Sequence, residues 1–402
     1  MTIAKKMQDF CERSSWIRKM FEEGIKLKKT YGSENIFDFS LGNPDLPPPE
    51  EFQKTMQRLV NQEVMGAHAY MPNAGFPAAR DAVAGQLSIE QEVPVQGEDV
   101  ILTCGAAGAL NVIMKALLDP GDEVIILSPY FVEYSFYIDN HGGTTRVVPT
   151  SPVDFSLNLT AIEEAITSRT KAILINSPNN PTGQIYDAAS LAGLGHIIYQ
   201  AGRKHKKNIY LVADEPYRKI AFDGLKVPAV FPACYSSLVV SSFSKDLSIP
   251  GERIGYLAVH PEMPEKETVT NALILANRIL GFVNAPAFMQ RAIIHLQGIG
   301  IDAGRYQRRR DLFCRILSAA GYSFIPPKGA FYLFPRSPLA NDVEFVMLLA
   351  EQRILAVPGK GFGAPGYFRL AFCVSEDIIE RSADAFTTAI DKALNKNIQI
   401  KF

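Results

Sequence analysis

Between Val100 and Val259 the chain repeats one arrangement: a short apolar run rich in β-branched residues, then a stretch of helical periodicity, then another such run. The runs are Val100 to Thr103, Val124 to Ser128, Thr145 to Pro149, Ala172 to Asn176, Ile209 to Ala213, Leu238 to Phe243 and Ile254 to Val259. Most do not alternate with polar residues, so they predict strands buried on both faces, as in parallel sheets covered by helices. Leu110, Ile113, Met114 and Leu117 trace the i, i+3, i+4, i+7 stripe of the first intervening helix. Further helices are predicted from Leu159 to about Ile166 and from Ser190 to about His205. The pattern predicts an α/β fold with a mostly parallel, seven-stranded sheet. In such sheets ligands collect beyond the carboxyl ends of the strands, so the residues just after each run are the candidates for chemistry.

At 402 residues the chain exceeds one ordinary core. The regular pattern predicts a large domain over residues 50–290. Residues 1–49 would be an N-terminal arm and part of a smaller α+β domain, completed by residues 291–402. Ile17, Met20, Phe21 and Ile25 form a helical stripe between Ser14 and Lys29 that is too short to make its own core and should dock on something. Arg305, Arg308, Arg309 and Arg310 read as a solvated helix face. A net charge of -1 gives no basic field for nucleic acid or a membrane surface. The five cysteines are scattered without C-x-x-C spacing, which indicates neither a disulfide framework nor a metal site. With no signal-peptide pattern and no apolar run of about 18 residues, the sequence predicts a cytoplasmic protein.

Four strand ends carry unusual polarity. Lys245 follows the sixth run, with hydroxyls at Ser242 and Ser244 and a guanidinium at Arg253 nearby. Alone it also fits a solvated loop lysine. Asp214 closes the fifth run and precedes Tyr217; taken alone, it also fits a turn cap. Asn180 follows the fourth, and Gly105-Ala106-Ala107-Gly108 follows the first as a small-residue turn opening a helix. Together these suit the edges of a phosphorylated pyridine aldehyde: an amine for the aldehyde, a carboxylate for the ring nitrogen, donors for a phenolate, and free amides for a phosphate.

Asn180-Pro181-Thr182-Gly183, Asp214-x-x-Tyr217 and Ser242-x-Ser244-Lys245 with Arg253 resemble the class I/II aminotransferases, pyridoxal 5′-phosphate-dependent enzymes of fold type I related to aspartate and aromatic aminotransferases. The resemblance runs from Gly42-Asn43-Pro44 to Arg369 in the family's order and spacing. It implies transfer of an amino group between an L-amino acid and a 2-oxo acid by a ping-pong Schiff-base mechanism. By the same resemblance Lys245 is the covalent anchor and proton shuttle, Asp214 pairs with the ring nitrogen, and Asn180 and Tyr217 hold the ring hydroxyl oxygen. Gly105, Ala106, Ala107, Ser242, Ser244 and Arg253 surround the phosphate, Phe131 stacks on the ring, and Tyr70 reaches across from a second subunit of a homodimer. Arg369 sits in the apolar run Tyr367-Phe368-Arg369-Leu370-Ala371-Phe372, where an unpaired guanidinium is costly unless it meets an anion. In the family it grips the substrate carboxylate, with Gly42 and Asn180 lining the same pocket; an internal salt bridge is the structural alternative. No metal is implied.

Two positions depart from common family patterns. Ala106-Ala107 stands where many relatives carry Ser, Thr or Lys, which weakens a dicarboxylate assignment, and Lys360 stands where Ser is frequent. Other chemistry on the same scaffold remains open, namely β-elimination by a C–S lyase, racemisation or decarboxylation. A non-catalytic cofactor-binding regulatory module is disfavoured by the missing helix-turn-helix segment and basic patch.

Overall fold

The computed structural model describes residues 2–399 apart from positions 14 and 63. After a short strand β1 (Phe37–Asp38), seven strands build the central sheet: β2 (Val100–Thr103), β3 (Glu123–Ser128), β4 (Thr144–Pro149), β5 (Thr170–Asn176), β6 (Tyr210–Asp214), β7 (Ser237–Ser242) and β8 (Gly255–Val259). Their order is β2-β8-β7-β6-β5-β3-β4, and β8 runs antiparallel to both of its neighbours while the other pairs are parallel. Every predicted strand is present within two residues of its expected ends.

Successive residues point to opposite faces, and both faces are covered. Ile125, Ile173, Leu211 and Val239 enter one core, whereas Val124, Ala172, Val212 and Val240 enter the other. Each fully buried aliphatic side chain contributes about 1.5–3 kcal/mol, which is why these runs do not alternate with polar residues. The expectation of two-sided burial fails at β4: it forms an edge of the sheet, and Thr144, Arg146 and Val147 are exposed. Edge position alone does not expose a strand, since β2 at the other edge is buried throughout; β4 differs in carrying Thr144, Thr145 and Arg146, polar residues that suit a solvent-facing edge.

A further aromatic core joins Phe39 to Tyr306, Phe313, Phe331 and Phe368, and includes Tyr217, Ile220 and Phe222 from the segment after β6. Around it lie β9 (Tyr332–Leu333), β10 (Ile354–Leu355), β11 (Val357–Pro358) and β12 (Phe368–Ala371). Strand β1 pairs with β10, and β11, β12 and β9 form an antiparallel sheet.

The basic helix face is a correction. Arg309 and Arg310 are only 5% and 6% exposed. Arg309 donates to Asp45 at 2.7 Å, and Arg310 forks onto Asp223 at 2.6 and 2.8 Å. Carboxylates distant in sequence pair with both, which the local charge run could not reveal, although Arg310 also donates to the adjacent Asp311 at 2.8 Å and Arg309 Nε keeps no partner; Arg305 and Arg308 are exposed as expected. Ile17, Met20 and Phe21 lie outside the residues whose side chains are described, and Ile25 is exposed. Among the described residues no helix is long and apolar enough to cross a membrane, and no cluster of His, Cys, Asp or Glu could hold a metal ion.

Candidate active site

The sheet's register brings its polar strand ends to one edge. Asn176 pairs with Asp214, Asp214 with Val240, and Ser242 with Gly255. Because β8 runs the other way, its start lies beside the ends of β2 and β7, so Arg253 arrives next to Gly105 and Ser242. Gly105 has φ +74°, and a Cβ on it would stand 2.9 Å from the Arg253 guanidinium. Beyond this edge lies a cavity of about 330 Å³.

Ala106, Ala107, Ser242, Ser244 and Arg253 are among the residues that line this cavity. Ala106 and Ala107 occupy the first turn of the Gly105–Leu117 helix, whose Cys104 N-cap offers no side-chain acceptor. The amides of that turn are therefore free for an anion, and the positive end of the helix dipole favours one.

Lys245 lines the same cavity from a helical turn, Phe243–Asp246, rather than the predicted loop. Its Nζ donates to the Gly42 carbonyl at 2.9 Å. Burial lowers its pKa to about 8, with the Arg369 and Arg253 charges acting in the same direction. A buried ammonium loses hydration, and nearby cations penalise it further.

Asp214 also lines the cavity. Its Oδ2 accepts a 2.5 Å hydrogen bond from the Tyr134 hydroxyl, while its buried Oδ1 has no partner. Burial lifts this carboxyl to about 7, with the Tyr134 bond opposing the rise. Asn176 fixes the backbone by donating to the Asp214 carbonyl at 2.8 Å, and its own Oδ1 accepts from the Asn180 amide at 2.7 Å. The Tyr217 hydroxyl lies 2.9 Å from that of Tyr332.

Arg369 enters from β12 and is 8% exposed. It donates to Asn180 Oδ1 at 3.1 Å and to the Ser40 carbonyl at 2.7 Å, and the rings of Tyr332 and Phe362 lie 4.7 and 4.8 Å from its guanidinium. Among the described residues no carboxylate pairs with it, and its Nε has no partner. Gly42 must stay small: a Cβ there would come within 2.0 Å of the Tyr332 hydroxyl.

Residues 34–386 match the family described as aminotransferase class I and II. The chain belongs to that family. A probable aspartate/prephenate aminotransferase of Aquifex aeolicus is 33% identical, over 85% of this chain and 88% of its own length. The crystal structure of an amino transferase from Eubacterium rectale superposes with a TM-score of 0.94 at 35% identity, covering 98% of this chain and 99% of that one. An alanine aminotransferase from Pyrococcus furiosus gives 0.87 at 28% identity, covering 97% and 100%. The protein is thus an aminotransferase of the pyridoxal 5′-phosphate-dependent kind, with the fold-type-I architecture predicted for it.

The aminotransferase cavity is chemically suited to that cofactor: it offers an amine, one unpartnered carboxylate oxygen, free helix amides and a guanidinium. Twelve of the predicted site residues line it: Gly42, Ala106, Ala107, Phe131, Asn180 and Asp214, together with Tyr217, Ser242, Ser244, Lys245, Arg253 and Arg369. Gly105 lies just behind the wall. Tyr70 is absent from the lining and 93% exposed, and Lys360 is exposed away from it, its backbone amide donating to Asp342 at 2.8 Å. Sequence reasoning missed Tyr134, Tyr137, Asn176 and Tyr332, all of which line the cavity. Tyr134 and Tyr137 are three apart in the helix Glu133–Asn140, a spacing that puts two rings side by side on it, so a signal was present. Tyr332 sits in the aromatic run Phe331-Tyr332-Leu333-Phe334, which offers no sign of its polar role.

Proposed function

We propose that Lys245, Asp214 and Arg369 are the working groups of the aminotransferase and that its substrates are an L-amino acid and a 2-oxo acid taken in turn at one cavity. The carrying observation is the pair of unpartnered buried groups, Asp214 Oδ1 and Arg369 Nε, in the cavity that holds the Lys245 amine. Buried polar atoms are nearly always satisfied, so atoms left open in a cavity are ready for a ligand.

Pyridoxal 5′-phosphate, when bound, supplies the aldehyde that takes up the amino group and the ring that withdraws electrons from the substrate α-carbon. Arg369 offers its planar fork to the substrate α-carboxylate, which supplies the countercharge that the guanidinium lacks in the protein. Asp214 Oδ1 accepts the N–H of a protonated ring nitrogen, and the negative carboxylate favours that protonated form. With the cofactor bound, Asn180 and Tyr217 would hold the ring hydroxyl oxygen and Phe131 would cover the ring. Gly105, Ala106, Ala107, Ser242, Ser244 and Arg253 hold the phosphate. Lys245 Nζ, with its pKa near 8, is largely available as a neutral amine in mildly alkaline solution and can take a proton from the α-carbon and return it elsewhere. Kinetics should be ping-pong.

The lining contains three cations, Lys245, Arg253 and Arg369, each with a role in this reading. Ala106 and Ala107 add methyl groups at the phosphate end, which disfavours a second substrate carboxylate there. The exposed Tyr70 is assigned to the phosphate site of a second copy in a homodimer, in a cytoplasmic enzyme. Residues 50–290 carry the cofactor, residues 1–49 supply an N-terminal arm and part of the smaller domain, and residues 291–402 complete that domain.

Purified with pyridoxal 5′-phosphate and reduced with borohydride, the wild-type chain should keep the cofactor attached through denaturation, as a secondary amine, and Lys245→Ala should release it. Equal retention of reduced cofactor by the denatured variant would reject Lys245 as the anchor. Amino donors tested against 2-oxoglutarate, pyruvate and oxaloacetate then identify the substrates; pyruvate and ammonia released without an acceptor would favour elimination instead.

A further inference from the structure

We infer that Tyr134 is a positioning residue: its hydroxyl occupies one oxygen of Asp214 so that the other oxygen, ionised and unpartnered, is kept for the ring nitrogen of the cofactor. This rests on the assignment of Asp214 to that nitrogen. The geometry carries it through three observations. The hydroxyl donates to Asp214 Oδ2 at 2.5 Å, and both side chains are buried. Asp214 Oδ1, on the same carboxylate, has no protein partner, and Asp214 is one of the residues lining the cavity. Finally, the Tyr134 ring, carried by the helix Glu133–Asn140, meets edge-on at 5.6 Å the ring of Phe131, which lies just ahead of that helix, so the hydroxyl and the ring assigned to the cofactor face are packed together.

A phenol can donate only one proton, and here it goes to a carboxylate oxygen. A donor stabilises the ionised carboxylate over the neutral acid, which is what a positively charged ring nitrogen requires of its partner. Glu215, the next residue, acts the other way by adding negative charge nearby. Without the hydroxyl, Asp214 would have two buried oxygens open. A neutral carboxylic acid would become the cheaper state, and the proton would move from the ring nitrogen to the carboxyl. The hydroxyl therefore acts through Asp214 rather than on the reacting atoms.

Tyr134→Phe removes the oxygen and keeps the ring against Phe131. The test measures binding of pyridoxal 5′-phosphate, and of its analogue with carbon in place of the ring nitrogen, to the apo forms of wild type and Tyr134→Phe. Loss of a hydrogen bond to a charged group predicts pyridoxal 5′-phosphate binding about 10- to 100-fold weaker in the variant. Binding of the carbon analogue should be unchanged or tighter, because it needs no ionised partner. In an Asp214→Asn background the same tyrosine substitution should change neither affinity. The inference is overturned by equal losses for the two ligands, which would make the hydroxyl merely structural, or by no loss for either. If the wild type itself does not distinguish the two ligands, the assignment of Asp214 to the ring nitrogen fails instead. Should Tyr134→Phe not fold, Tyr134→His keeps a ring with a polar atom and should retain part of the discrimination; its complete loss in a folded Tyr134→His protein would count against a donor role.

Discussion

Asp214 and Glu215 are neighbours in sequence, and burial holds both carboxyls up at about 7, yet they face different surroundings. Asp214 faces the cavity with one oxygen unpartnered. Glu215 faces a closed network, accepting from Arg218 at 2.9 Å and from Gln91 at 2.9 Å, while Arg218 also donates to the carbonyls of Glu90, Val227 and Pro228. The next pair repeats the pattern: Lys245 opens into the cavity, and Asp246 is closed by Lys219 at 3.0 Å. A displaced pKa thus does not separate site from scaffold here. For these two pairs, what separates them is that Glu215 and Asp246 are matched by a cation of the protein, whereas Asp214 and Lys245 face the cavity without an opposite charge from it.

The comparison breaks most visibly at Lys245. Lys245→Ala should lower amino transfer by about 10⁴-fold or more, since one amine serves as both anchor and base. The same change should cost little stability, because it removes a buried amine that has no carboxylate partner among the described residues and donates to the Gly42 carbonyl. A rate within tenfold of wild type, in steady-state assays with excess cofactor, would place Lys245 on the scaffold side.

Two buried arginines give the next largest contrast. Arg369→Leu should lower kcat/KM for every amino acid by about 100-fold or more, seen chiefly in KM, as the substrate carboxylate loses its partner. Its stability should hold, because an unpaired buried charge has been removed. Arg218→Leu should do the reverse. It leaves Glu215 without its cation beside Glu90 and should cost about 3–5 kcal/mol in denaturant unfolding, with KM preserved in the folded fraction. Equal stability losses for the two variants would erase the distinction.

How much of this was readable beforehand follows from the same contrast. The strands from Val100 to Val259 were legible because burial on both faces imposes a composition that the sequence carries directly. Lys245, Asp214, Asn180 and Arg369 were legible because polar residues at the ends or middle of apolar runs demand an explanation. Arg309 and Arg310 were misread because their partners, Asp45 and Asp223, lie far away in sequence. Tyr134 and Tyr332 were missed because an aromatic residue on a buried face looks like core until its hydroxyl is seen bonded to Asp214 or Tyr217. The open edge of β4 was hidden because strand order is a tertiary fact.

The pH dependence of stability sharpens the Asp214 and Glu215 comparison on a smaller scale. Both have folded pKa values raised from the ordinary carboxylate range to about 7, so the folded chain binds more protons than the unfolded chain between those limits. Stability of the apo chain from these groups is therefore fully present below the unfolded pKa values, and it falls as pH rises through about 7. Each contributes a slope of at most about 1.4 kcal/mol per pH unit. Asp214→Asn should remove one share of this fall and leave that of Glu215. Denaturant midpoints from about pH 5 to about pH 8 measure it, and an unaltered slope would show that Asp214 is not held up by burial.

The smallest effect belongs to Lys219, whose ammonium is one quarter exposed and pairs with the buried Asp246. Lys219→Met keeps the aliphatic stem and removes the charge, so the expected loss is about 1 kcal/mol at neutral pH. Burial raises the pKa of Asp246, and Lys219 is the foremost group opposing that rise. Removing the ammonium leaves Asp246 easier to protonate, so the difference between variant and wild type should be widest where Asp246 is ionised and should close as acid neutralises it. Lys219 does not line the cavity, so the affinity for pyridoxal 5′-phosphate should stay at the wild-type value although Lys245 adjoins Asp246 in sequence. A loss of affinity as large as the loss of stability would show that the closed pair also sets the position of Lys245, and the boundary between scaffold and site would then fall one residue further from the cavity.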